Sequence, residues 1–144
     1  MGYTHYAYVP LAPIEKHAWE DLKEDIQVIC ESGEWMNKQA WLDDNLIQVQ
    51  GPYEWFEVER NPQGRDYEQG KGRTLIFTKT RQMDYDEYIV ACYLSLKNHV
   101  PEAIISSDGD FDDLQAGLQR YCDVFDYQPA SLKSFYYEMF GGDE

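Results

Sequence analysis

Ile14, Ala18, Leu22, Ile26, Ile29 and Cys30 recur at steps of four, four, four, three and one before the chain reaches Gly33. That spacing places all six on one face of a 3.6-residue helix, with Glu20, Lys23, Glu24 and Glu31 on the other. A helix with a single apolar stripe must bury it against a second layer. The flanking residues supply that layer as strands. Tyr3 to Val9 is aromatic and β-branched and stops at Pro10, which predicts a first strand, and Pro13 then opens the helix.

Beyond Trp35 the apolar period shortens to two. Leu46 to Gln50 and Tyr53 to Val58, parted by Gly51-Pro52, read as a β-hairpin. Asn61 to Arg73 holds glycines and a proline without buried periodicity, which predicts a mobile loop before a strand at Thr74 to Thr78. Asp84 with Glu87 resembles a capping box, and Tyr85, Ile89, Tyr93, Leu96 and Val100 form one apolar face up to Pro101. Ala103 to Ser106 reads as a short strand. Asp108-Gly109-Asp110 turns into a helix carrying Leu114, Leu118, Tyr121, Cys122 and Phe125, and Pro129 and Ser131 begin a last helix. The expected fold is therefore α+β: an antiparallel-rich sheet covered by about four helices, one domain over residues 1–144, with 141–144 a frayed tail.

Charge narrows the function classes. The 144 residues carry 27 acids and 12 bases, a formal charge of −15, which repels nucleic acid at long range and attracts cationic surfaces. Direct binding of duplex DNA is excluded on that ground. Residues 60 to 82 depart from the average, with Arg60, Arg65, Lys71, Arg73, Lys79 and Arg81 against Asp66 and Glu68. This basic island lies between two acidic arms. The 3 cysteines, Cys30, Cys92 and Cys122, fall in helical patterns and read as core thiols of a reducing compartment. No stretch of 18 apolar residues and no signal peptide is present, so the expected place is a cytoplasm, with no membrane span.

Chemical motifs are few. Gly64 to Gly72 fails the phosphate-loop pattern because Gly72 follows Lys71. A looser anion site remains, in which Arg65, Lys71, Arg73, Lys79 and Arg81 meet His5, Thr80 and Ser107 around a phosphate, with Tyr3 or Trp55 stacking on a base. Asp108, Asp110, Asp112 and Asp113 crowd into six residues but miss the EF-hand spacing, and Asp110 is expected to cap the helix. His5, His17 and His99 lack zinc spacing, and no nucleophile motif is present, so neither a cofactor nor a catalytic set is implied.

Gly2-Tyr-Thr-His-Tyr6, Thr78-Lys-Thr80 followed by Tyr85-Asp86, and Ser106-Ser-Asp-Gly109 together resemble an uncharacterised family of small bacteriophage proteins that begin Gly-Tyr-Thr-His-Tyr-Trp. The similarity runs along nearly the whole chain and departs at Ala7, where the family has Trp. It implies a phage origin and an accessory role in the host cytoplasm. Its polar positions fall on His5, Lys79, Thr80, Asp86, Ser107 and Asp108.

Two functions follow as expectations. In the first, the chain antagonises a nucleic-acid-directed defence complex, of anti-CRISPR or anti-restriction type, by filling the basic groove of a host protein with Asp108, Asp110, Asp112, Asp113 and Asp123. In the second, the basic island binds a small nucleotide, as a sponge or a phosphoesterase.

Overall fold

The computed structural model describes residues 3–62 and 72–141. Its elements run β1 (Thr4–Pro10), α1 (Lys16–Glu31), β2 (Gln39–Leu42), β3 (Leu46–Gln50), β4 (Phe56–Glu59), β5 (Arg73–Lys79), α2 (Asp86–His99), β6 (Ile104–Ser107), α3 (Phe111–Phe125) and α4 (Leu132–Phe140). The α+β class is as the sequence implies. The strands divide into two antiparallel sheets, β5-β1-β6 and β2-β3-β4. Residues 63–71 of the segment expected to be a mobile loop, and 142–144 of the tail, lie outside the described residues.

Helix α1 starts at Lys16 rather than Pro13, because the Glu15 carboxylate accepts the Ala18 amide and so caps it. Its stripe is buried as the spacing requires: Leu22, Ile26 and Ile29 are fully enclosed. Helix α2 corrects the expectation of one apolar face. Every residue from Tyr88 to Leu96 is buried, since α1 and α3 pack on it and both β1 and β6 of the first sheet reach it. Nor does Asp84 cap this helix. Tyr85 holds the N-cap position without a side-chain bond, its hydroxyl spent on the Glu54 carbonyl at 2.7 Å. Helix α3 crosses α2 closely at Gly117, where a Cβ would stand 2.4 Å from Val90 Cβ. Asp110 and Asp113 cap α3 reciprocally, and Ser131 with Ser134 do the same for α4.

All three cysteines are buried free thiols. Burial lifts the Cys30 thiol to about 11, and the Tyr85 and Tyr121 phenols to about 12. These groups ionise more readily once unfolded, so the folded state holds extra protons above their ordinary values. Stability is then complete below about pH 9 and falls as pH rises through 11 and 12. Urea midpoints followed by circular dichroism should drop steadily between those limits; a midpoint indifferent to alkali would disprove the burial of these groups.

Candidate functional site

Strand β1 is the centre of its sheet, and its register decides which side chains meet. His5 lies opposite Thr78 on β5 and Ser107 on β6. Side chains of such partners share a face. On the inner face Thr78 Oγ1 meets the Tyr93 hydroxyl of α2 at 2.9 Å. His5, only 1% exposed, meets Ser107 Oγ at 2.8 Å through Nδ1 and donates Nε2–H to Asp86 Oδ1 at 2.6 Å. Thr80 Oγ1 donates to the same carboxylate oxygen at 2.5 Å. Of the sequence-derived site residues, His5, Thr80 and Ser107 are thus brought together, and Asp86 is the partner that joins them.

The row Ser107–His5–Asp86 has the hydrogen-bond order of a hydrolase triad, since Nε2–H faces the carboxylate and leaves Nδ1 to accept the serine hydroxyl. Its surroundings oppose that chemistry. Ser107 Oγ already accepts the Gly109 amide at 3.0 Å. Asp108, Asp110, Asp112 and Asp113 follow directly in the chain, a local negative charge that disfavours a developing oxyanion. The row acts as a tie between β1, β6 and the start of α2.

The basic residues do not join it. Lys79 pairs with Thr4, one position along from His5 and Thr78, so its side chain leaves the opposite face of the sheet. The Arg81 guanidinium lies 5.0 Å from the Tyr53 ring centre, on a left-handed backbone with φ of 56°. Arg73 Nε donates to the Glu102 carbonyl at 3.1 Å. Arg65 and Lys71 lie outside the described residues. Of the two aromatics considered for stacking, Tyr3 is buried edge-on against His5, whereas Trp55 is exposed.

The carboxylates do converge. Asp108 accepts the Thr4 amide at 3.1 Å and the Tyr6 hydroxyl at 3.4 Å, which holds the β6–α3 turn against β1. Gln82 reaches Asp113 at 3.4 Å and so brings the turn before α2 to the same corner. Asp84, Asp108, Asp110, Asp112 and Asp113 are all exposed there. Beneath them lies the Tyr3 hydroxyl, buried and without a hydrogen-bond partner among the described residues. Burial first, then the charges of Asp86, Asp113, Asp110 and Asp108, push its ionisation well above the ordinary tyrosine value. Asp123 is separate, about three turns further along α3, and accepts from Gln119 at 2.8 Å.

The outer face of the same sheet adjoins this corner. Tyr6 there pairs with Phe77, which is 57% exposed. A second His–Asp pair, His99 with Asp25, lies at the end of α2, and nothing in the local pattern joins residues so far apart in sequence. No family model, curated protein or solved structure matches the chain. Among the described residues no helix is long and apolar enough to cross a membrane.

Proposed function

We propose that the chain is a bacteriophage accessory protein that binds a host protein stoichiometrically at a basic groove, and so blocks a nucleic-acid-directed defence complex in the host cytoplasm. One observation supports this reading above the others: many of the basic side chains are bonded to partners elsewhere in the molecule, while five aspartates are exposed at one corner. Arg60 donates to the Ile14 carbonyl, Lys97 to those of Pro101 and Ala103, and Lys38 to those of Cys30 and Gly33. Arg120 pairs with Glu87, and Lys23 with Glu20. These cations keep their charge, but none of these bonds falls on Asp84, Asp108, Asp110, Asp112 or Asp113, whose local field draws a phosphate-binding groove as a nucleic-acid backbone does. Phe77, beside that corner, supplies an apolar anchor. The nucleotide reading is weaker, because it needs Lys79 and His5 on one face of a sheet that they leave on opposite faces.

The test is phage plating on hosts that carry one defined CRISPR–Cas or restriction system and express the protein. Asp84→Asn with Asp112→Asn should slow association with the defence complex and abolish protection, with circular dichroism unchanged. Lys79→Ala with Arg81→Ala should leave protection intact. Protection lost only in the basic pair would overturn the proposal.

A further inference from the structure

The outer face of the β5-β1-β6 sheet is open to solvent. Helix α2 reaches β1 and β6 from the inner face, to which His5 and Thr78 point. On the other side Phe77 is 57% exposed and Ile104 43%, with Tyr6, Tyr8 and Leu75 partly exposed between them. Opposite partners share a face, so the register sets two rows there: Phe77, Tyr6 and Ser106, then Leu75, Tyr8 and Ile104. A contiguous aromatic and aliphatic face of this kind marks an interaction surface.

Charge frames this face unequally. Strand β5 carries a base beyond each row, Lys79 level with Thr4 and Arg73 level with Pro10. Strand β6 is bounded by an acid at each of the same two levels: Asp108, which accepts the Thr4 amide, and Glu102, whose carbonyl accepts from Arg73 Nε. Both acids are exposed, and Lys79 Nζ has no partner among the described residues. Size divides the same way, since the large Phe77 of β5 shares its row with the small Ser106 of β6.

We infer that this face binds a second copy of the chain, as a symmetric dimer about a two-fold axis along β1. Such an axis keeps every level and exchanges β5 with β6. Lys79 then faces the partner's Asp108, and Arg73 the partner's Glu102. Phe77 fills the space over the partner's Ser106, Leu75 meets the partner's Ile104, and the two tyrosines of β1 meet their own counterparts. Three strands about 4.8 Å apart and four levels about 6.8 Å apart span on the order of 400 Å² per copy, at the small end of specific interfaces. Two chains of formal charge −15 also repel each other at longer range. The dimer is therefore weak, with a dissociation constant on the order of 100 µM where salt screens the distant charges. It goes beyond the proposed function and does not rest on it: the dimer covers Phe77, so a host protein anchored there meets the monomer.

Sedimentation equilibrium of the full chain at about 150 mM salt is the test. The apparent mass should rise with concentration toward that of two chains. Phe77→Asp puts a carboxylate in the middle of the contact and should abolish association, while Lys79→Glu meets the partner's Asp108 with like charge and should weaken it roughly tenfold. Neither residue belongs to the buried core, so both variants should melt near the parent. Cross-linking tests the axis. The native cysteines are buried, which leaves the thiols introduced by Leu75→Cys and Ile104→Cys to react. A bismaleimide that spans about the 10 Å between stacked sheets should join these two variants to each other in preference to either with itself. A monomer at every concentration, a dimer that survives Phe77→Asp, or preferential self-linking of either cysteine variant would overturn the inference.

Discussion

Replacing Leu22 with Asp should leave the chain unfolded at ambient temperature. Leu22 is fully buried at the middle of α1, facing the core that also holds Ile26, Val49 and Ile89. The change removes an apolar side chain and places a carboxylate where neither water nor a cation reaches it. Truncation alone costs about 2 to 5 kcal/mol, and the unpaired charge adds several more, enough to cancel the stability of an ordinary domain. Leu22→Ala is the control and should fold with a lowered midpoint. A cooperative thermal transition for Leu22→Asp within a few degrees of the parent would show that α1 does not pack as described.

Asp86→Ala should have the second largest effect. The Asp86 carboxylate is the acceptor for both His5 Nε2–H and Thr80 Oγ1–H, and both donors are at most 1% exposed. Removing it strands two buried donors, each at about 1 to 3 kcal/mol, and takes an acid from the first turn of α2. Asp86→Asn keeps an acceptor oxygen and should recover part of the loss. Urea unfolding should rank the proteins parent, Asn, Ala at constant slope. If the Ala variant matched the parent, the row from Ser107 to Asp86 would carry no load in the fold.

These two sites differ in how far the sequence discloses them. The Leu22 stripe is local, so periodicity alone locates α1 and its buried face. Four of the five aspartates of the acidic corner are legible for the same reason, lying within six consecutive residues, whereas Asp84 is not part of that run. Asp86 is legible only as an acid near a helix start. Its true partner stands 81 residues away, a pairing that no period encodes. Helix α2 is recognised but its environment is misread, because a helix packed on every side offers no polar face to break the pattern. The division into two sheets escapes for a related reason. The pairing of β3 with β4 follows from the short connection around Gly51-Pro52, whereas the pairing of β1 with β5 and β6 spans most of the chain. The basic island looks coherent as a run of letters, yet strand alternation turns Lys79 away from His5.

That long-range pairing has a consequence for the order of events on the ribosome. Among the described strands the one made first is the middle strand of its sheet, and His5 meets Ser107 only after 102 further residues have been synthesised. Until β5 is made β1 is an aromatic segment with two open edges, and until β6 is made it keeps one. The β2-β3-β4 meander can close from local contacts while synthesis continues, but the first sheet meets its chain-closure entropy later, after that meander, β5 and α2 have been made.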